Sequence, residues 1–172
     1  MNWVKNFYIN YIFKFTILSI VLGFYIGSAT ALFLAGLEAV TQYREHHQWI
    51  IYTLPITGLV IGWLYYQYGV VAKKGNNLII AQHRATQKET IPLIMAPLVF
   101  ITTLLTHLVG GATGREGTAV QMGGAIADQF TKTFKLNEQE RNTLLMMGVS
   151  AGFSAVFGTP FAGAEFTLEI ML

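Results

Sequence analysis

The 172-residue sequence contains no cysteine and few charged residues. The absence of cysteine excludes disulfide bonds, thiolate catalysis and cysteine-ligated metals. Charged residues make up 12% of the chain, whereas soluble domains usually carry about 25%. The net charge is only +2 and the basic residues are dispersed. No basic stripe is therefore available to neutralise the phosphates of a nucleic acid.

Apolar residues dominate instead. They make up 53% of the chain, and the mean hydropathy is +0.47. Four runs without a formal charge cover residues 15–37, 49–72, 90–114 and 142–164. Each contains at least the roughly 20 residues that a helix needs to cross a hydrocarbon core. Four such helices would leave a soluble protein of this length too little polar surface, so the sequence predicts an all-α polytopic membrane protein.

The N-terminal region has two interpretations. Lys5 and Lys14 precede the first apolar run, and residues 28–31 read S-A-T-A, which resembles a signal-peptidase site. The apolar stretch continues beyond that point and is too long for a typical signal peptide, which favours an uncleaved helix. The aromatic-rich segment before it, N-W-V-K-N-F-Y-I-N-Y-I-F, predicts an interfacial lead-in helix.

The distribution of basic residues predicts the orientation in the membrane. Lys5 and Lys14 lie before the first run, and Arg44 is the single basic residue between the first and second runs. The segment after the second run carries Lys73, Lys74, Arg84 and Lys88. We therefore expect the N-terminus and residues 73–89 in the cytoplasm, with residues 44–48 outside.

The second half of the chain predicts discontinuous helices. Pro92 and Pro97 lie early in the third run, and the apolar piece at residues 117–127 covers only about half a bilayer at 1.5 Å per residue. The fourth run is interrupted at F-G-T-P-F, where Pro160 suits the first turn of a new helix. Broken segments of this kind are typical of transporter binding sites near the midplane. The side on which residues 131–141 lie stays open.

An arginine and a glutamate stand side by side in the glycine-rich stretch G-G-A-T-G-R-E-G-T, residues 110–118. Gly114 ends one segment and Arg115 starts the next, which predicts a helix N-terminus with unpaired N–H groups. Such an end binds anions, and glycine lets the backbone approach them closely. Glu116 could occupy the anion's place and leave it when protonated or displaced, so it is a candidate gate. The alternative is a charged loop at the membrane surface.

Two longer stretches resemble one known family. They are G-R-E-G-T-A-V-Q-M-G-G-A-I-A-D-Q-F and the later L-L-M-M-G-V-S-A-G-F-S-A-V-F-G-T-P-F-A-G-A-E-F-T-L-E-I-M, and they are similar to the CLC family of chloride channels and anion/proton exchangers. The resemblance is clearest over residues 105–172. It implies that Glu116 is the gating glutamate and that Gly114, Arg115 and Gly117 belong to the loop at the anion site.

The resemblance also implies an architecture and a setting. CLC proteins consist of two inverted halves, so residues 1–172 correspond to the N-terminal part of one transmembrane domain. The implied partners are fluoride or chloride ions, protons and a lipid bilayer, in a homodimer in the bacterial inner membrane. No cofactor, metal or nucleic acid is implied. Because the second half of the pathway is not in this sequence, we expect residues 1–172 alone not to transport.

Two departures from the family pattern indicate one branch. Thr118 stands where most members have proline after G-R-E-G, and Asn76, in G-N-N-L-I, replaces the serine that touches the central anion. Both features resemble the bacterial fluoride/proton antiporters, which adds Asn76 and Thr118 to the implied anion site. An amide offers N–H donors to a small, strongly hydrated anion. From the residues alone, Asn76 and Asn77 are also consistent with a turn or helix cap.

A third departure concerns protons. Glu169 matches the first of two adjacent glutamates found in many exchangers, and Ile170 stands at the second, so the internal proton acceptor is not assigned. Glu165 lies four residues earlier, on the same helix face. A proton relay through Glu165 is one hypothesis, and exposure of both carboxylates to water or to another helix is the alternative.

Other functional classes fit less well. The G-F-S-A at residues 152–155 resembles the G-x-S-G of intramembrane serine proteases, with His107 as a base, but the final glycine is missing and small residues favour close helix packing. The histidines are scattered, which predicts no metal site. We therefore predict a transporter and not an enzyme. The alternatives are a chloride channel or chloride/proton exchanger, and a non-transporting subunit or fragment.

Overall fold

The computed structural model describes the backbone of residues 2–83 and 90–171 and the side chains of residues 11–81 and 90–171. All regular structure in these residues is helical, which confirms the all-α prediction. The described α-helices are α1 (Asn2–His46), α2 (Leu54–Tyr68), α3 (Asn76–His83), α4 (Met95–Leu108), α5 (Arg115–Thr133), α6 (Glu138–Phe157) and α7 (Pro160–Met171). Short 3-10 segments, Gln48–Thr53 and Ala72–Lys74, precede α2 and α3.

Two stretches of the described chain are long and apolar enough to cross a membrane, Tyr11–His46 of α1 and Gln48–Tyr68 around α2. The other two uncharged runs are divided. The third gives the 14-residue α4 followed by a non-helical turn, and the fourth breaks at Gly158, which has a left-handed φ of 68°. Pro160 opens α7 as expected. The prediction of discontinuous helices is confirmed.

Two helices are longer than the sequence indicated. The predicted lead-in is not a separate helix, because α1 runs from Asn2 to His46 without a break and contains no proline to interrupt it. The apolar piece expected at residues 117–127 extends to Thr133 as the 19-residue α5, about 28 Å in length. The charge of Asp128 does not end α5, because that carboxylate is buried and paired.

The carboxylate of Asp128 is fully buried and accepts hydrogen bonds from the Arg141 side chain, the Ile91 backbone and, at 3.4 Å, the Thr131 hydroxyl. Arg141 of α6 donates from Nε to Oδ1 at 2.6 Å and from Nη2 to Oδ2 at 2.8 Å. The backbone N–H of Ile91 donates to Oδ2 at 2.7 Å, and the amide of Gln129 donates to the Ile91 carbonyl at 2.9 Å. This cluster joins α5, α6 and the segment before α4. Removal of one partner would leave a buried charge uncompensated.

The polar turn between α5 and α6 lies at the same end of the molecule as Lys14. The Lys14 amine donates to the Glu140 carboxylate at 2.5 Å, and Asn137 and Glu140 form a reciprocal capping box at the start of α6. The hydrogen bond from Lys14, followed by that from the Asn137 backbone, holds the pKa of Glu140 below its ordinary value. Since Lys14 belongs to the predicted cytoplasmic end of α1, residues 131–141 lie at that end too.

Small residues bring α5, α6 and α7 close together. A Cβ at Gly148 of α6 would lie 2.6 Å from a backbone carbonyl oxygen of α5, and a Cβ at Gly152 would collide with the backbone of Ala119. Ser154 lies against Gly163 of α7 in the same way. Close approach of this kind is typical of helices packed within membranes. The packing interpretation of G-F-S-A is therefore confirmed.

Helix α3, within residues 73–89, packs part of its surface against other helices, and the predicted cytoplasmic side of this segment stays a prediction. Leu78 and Ile79 are each 1% exposed, and Ile79 lies against Gly124 of α5. The apolar face of α3 packs against α5, α6 and α7, and this burial fixes the position of α3. A count of basic residues contains no information about such packing. Arg84 and Lys88, which contributed to the cytoplasmic prediction, lie outside the described residues.

Candidate anion site

The glycine-rich stretch forms the turn between α4 and α5. Gly110 has a left-handed φ of 84°, a conformation that glycine adopts without steric cost. Gly114 is the N-cap of α5 in an extended conformation, and it supplies no capping side chain. The first N–H groups of α5 therefore lack the usual side-chain partner. The predicted helix start at Arg115 is confirmed.

Glu116 lies in the first turn of α5 and is held weakly. Its carboxylate turns back toward the helix start, so that Oε2 would lie 3.1 Å from a Cβ at Gly114. Arg115 Nε lies 3.8 Å from Oε1, too far for a strong hydrogen bond. The side chains of Arg115 and Glu116 are 54% and 43% exposed, so this ion pair contributes little. The helix dipole favours the carboxylate at this position.

Two side-chain amides approach the first turns of α5. Nδ2 of Asn76 lies 3.5 Å from the position that a Cβ would take at Gly117, and Nε2 of Gln121 lies 3.9 Å from the same position. Gln121 Nε2 is also 3.7 Å from the corresponding point at Gly75. Because Gly117 has no side chain, the space between these amides and the helix start is open to a ligand.

Asn76 lies at a helix start, as one of its two sequence interpretations predicts, and its anion-binding role stays a prediction. It is the first residue of α3, after Gly75 with its left-handed φ of 56°, and its amide also reaches Gly117. Gln121 was not predicted. Two signals in the sequence could have identified it: its place in the family-like stretch G-R-E-G-T-A-V-Q, and its spacing of four residues from Gly117, which places both on one face of a helix.

Thr118 is buried, and its hydroxyl is engaged within the protein. Its Oγ1 lies 3.2 Å from the carbonyl oxygen of Gly114, to which it donates, and 2.8 Å from Oγ1 of Thr103. A hydroxyl has one hydrogen, so Thr103 is the donor to Thr118 in this geometry. Thr118 thus stabilises the start of α5 and links it to α4, and its anion-binding role stays a prediction.

A polar cavity of about 430 Å³ adjoins this helix start. It lies between α2, α4 and α5, and its lining includes Tyr65, Thr102, Thr103, Thr106, Thr113, Gly114, Gly117, Thr118 and Gln121. Tyr65 and the α4 threonines were not among the residues predicted for the site. The cavity gives the first turn of α5 room for a small ligand and water.

The remaining candidates lie elsewhere. Glu165 and Glu169 are exposed on α7, and the relay hypothesis for Glu165 stays untested. His107 bonds through Nδ1 to the Thr103 carbonyl oxygen of its own helix at 2.9 Å. Ser154 lies at the crossing of α6 and α7. Neither residue belongs to the group around Glu116.

Comparison with known proteins gives a consistent result. A model of the voltage gated chloride channel family matches residues 57–172. The chain is 49% identical over 161 residues to the chloride/fluoride channel protein of Pseudomonas syringae pv. tomato, which covers 94% of this chain and 35% of that protein. It is 43% identical over 76 residues to the H(+)/Cl(-) exchange transporter ClcA of Yersinia pestis bv. Antiqua, covering 44% of this chain and 16% of that protein.

A solved structure agrees with the fold. The crystal structure of a CLC-type fluoride/proton antiporter matches this chain with a TM-score of 0.84 and 39% sequence identity, over 89% of this chain and 38% of that one. The chain thus spans little more than a third of the length of the antiporter and of the Pseudomonas protein. With a family match over residues 57–172 and this structural agreement, the chain belongs to the voltage-gated chloride channel (CLC) family of membrane anion transporters.

Proposed function

We propose that this chain belongs to a fluoride/proton antiporter of the bacterial inner membrane, in which Glu116 both gates the anion pathway and carries the proton. The observation that carries the proposal is the convergence of Glu116, the start of α5 and the Asn76 amide around Gly117. Two relatives support it by name, a CLC-type fluoride/proton antiporter and a chloride/fluoride channel protein. The described helices would be the first part of a transmembrane domain that works as a homodimer.

Competition between the Glu116 carboxylate and the anion for one position at the start of α5 would couple anion movement to proton movement. The deprotonated carboxylate of Glu116 lies at the start of α5, where unpaired N–H groups and the dipole favour a negative charge. Protonation removes that charge and weakens the interaction. An anion then takes the place of the carboxylate in the same field. When the anion leaves, the carboxylate returns to this position only after Glu116 has lost its proton, so release of the anion and of the proton to opposite sides of the membrane would give exchange.

Amide donors would favour fluoride. Fluoride holds its water strongly, so a site must supply strong hydrogen-bond donors in exchange for that hydration. Asn76 and Gln121 each carry an NH₂ group within reach of Gly117. Arg115 is 54% exposed and contributes positive potential without a close contact.

Chloride/proton exchange is the second candidate. It is favoured by the 43% identity to the H(+)/Cl(-) exchange transporter of Yersinia pestis bv. Antiqua over 76 residues. A chloride channel has similar support from the family description. Asn76 and Thr118 distinguish the fluoride proposal from both, because they resemble the fluoride branch.

Anion efflux from liposomes tests the proposal. The complete protein that contains this chain is reconstituted, and fluoride and chloride efflux are followed with ion-selective electrodes while a pH electrode follows protons. We expect fluoride efflux to exceed chloride efflux by about tenfold or more, a difference of about 1.4 kcal/mol. Protein-free liposomes are the control. Equal rates for the two anions would contradict the fluoride assignment.

A further inference from the structure

Arg44 has a buried donor that the described part of the chain leaves without a partner. Arg44 lies in the last turn of α1, and its Nε is buried with no hydrogen-bond acceptor. Its Nη1 lies 3.7 Å from the position of a Cβ at Gly110, in the turn before α5. A buried donor on a charged group is costly when unsatisfied. Nε itself is enclosed, whereas the Arg44 side chain as a whole is only partly buried, so the remaining donors of its guanidinium are the groups that a ligand could meet.

The cavity beside Arg44 has a mostly apolar lining that contains several hydrogen-bond donors. It has a volume of about 530 Å³, and its lining includes Arg44, Gln48, Trp49, Tyr52 and Gly110. Guanidinium, amide, indole and hydroxyl groups can all donate hydrogen bonds. Glu45 contributes a carboxylate to the same lining, which opposes an anion, whereas the guanidinium keeps its positive charge at every physiological pH.

The position of this cavity relates it to the anion site. Gly110 precedes Gly114, the N-cap of α5, by four residues. Arg44 is at the end of α1 that the basic-residue distribution assigns to the outside. The opposite end of α1 contacts the α5–α6 turn through Lys14 and Glu140. The cavity therefore lies beside the turn that leads to Glu116, at the external end.

We infer that the Arg44 cavity is an external docking site for a small inorganic anion, which it exchanges with the site at Glu116. The ligand is the transported halide, before entry or after release. This inference rests on the proposed function. A lipid phosphate would satisfy the same guanidinium, but a position beside the turn to α5 favours the transported ion.

Fluoride uptake into right-side-out membrane vesicles tests the site, using the complete protein and constant ionic strength. Arg44→Gln is expected to raise the half-saturating external fluoride concentration about fivefold, with the maximal rate little changed. Glu45→Gln is expected to lower the half-saturating fluoride concentration, because a carboxylate that repels the anion is removed. Lys132→Gln is the matched control, since it removes one positive charge from the last turn of α5. This variant is expected to leave the half-saturating fluoride concentration unchanged.

Several outcomes would overturn the inference. One is an unchanged half-saturating concentration in Arg44→Gln, and another is an equal shift in Lys132→Gln. A shift of the same size in inside-out vesicles would contradict the external position. The maximal rate of the wild-type protein could also depend on the anionic-lipid content of the membrane. If Arg44→Gln removed that dependence, the cavity would be assigned to a lipid phosphate.

A binding measurement separates this inference from the proposed function. Trp49 lines the cavity, so its fluorescence in a variant with Trp49 as the single tryptophan reports an adjacent halide. We expect iodide to quench it saturably, and Arg44→Gln to leave only unsaturable collisional quenching. Unsaturable quenching with Arg44 present would refute the site. Absence of transport by the complete protein would refute the proposed function alone, because quenching does not require transport.

Discussion

In the proposed anion site, three groups from two helices lie around Gly117. Glu116 and Gln121 come from α5, and Asn76 comes from the first turn of α3. The amide nitrogens of Asn76 and Gln121 lie 3.5 Å and 3.9 Å from the position of a Cβ at Gly117. A ligand at this point would meet neutral donors on one side and the positive end of the α5 dipole on the other. Such a site combines anion binding with a carboxylate that competes for the same place.

Replacement of Asn76 by serine tests the amide's role. Asn76→Ser is expected to lower the ratio of fluoride to chloride efflux about tenfold, because a site built to donate loses an N–H donor. The ratio is measured in liposomes with both electrodes. Asn77→Ser removes the same group from the next residue and is the matched control. Equal ratios in wild type and Asn76→Ser would contradict a role in selectivity.

The candidate site was only partly predictable at the residue scale. Glu116 follows from the glycine-rich pattern, because a charged pair in an apolar chain is a functional candidate. Asn76 followed from family resemblance, since asparagine before an apolar segment otherwise indicates a helix start. The proximity of Gln121 to Gly75 could not be predicted, because it depends on how α3 packs against α5.

At the scale of elements, glycine decides how closely the helices pack. Gly148 and Gly152 bring the backbones of α5 and α6 together, and this fixes the direction of α5 and the position of Glu116 at its start. Helix breaks at Gly158 and Pro160 were predictable from local chemistry. The full length of α5 was not, because it requires Arg141 to reach Asp128 from another helix.

A pair of glycine substitutions tests this packing. Gly148→Ala is expected to destabilise the complete protein by about 1–3 kcal/mol, because the new methyl group meets backbone and cannot be accommodated. Gly62→Ala, in α2, has no described atom within 4 Å of the new Cβ and is expected to be neutral or stabilising. Each variant is heated in detergent, and its stability is measured as the temperature at which half of the protein no longer elutes as a monodisperse species. Equal midpoints would contradict the tight α5–α6 contact.

At the scale of the whole molecule, two contacts define the direction of the helices. Lys14 meets Glu140 at one end of α1, and Arg44 approaches Gly110 at the other. Helix α5 therefore starts at the Arg44 end and finishes at the Lys14 end. The distribution of basic residues predicts which end of α1 is cytoplasmic, and this orientation stays a prediction. The burial of α3 was not predictable, because charge counts do not register packing between helices.

Proton movement driven by a fluoride gradient tests whether Glu116 carries the proton. Liposomes containing the complete protein are given an inward fluoride gradient, and external pH is recorded. The account predicts that Glu116→Gln abolishes fluoride-driven proton movement, because the side chain can no longer take up or release a proton. Glu138→Gln, an exposed glutamate at the start of α6, keeps wild-type coupling as the control. Proton movement at the wild-type ratio to fluoride in a folded Glu116→Gln protein would contradict the account.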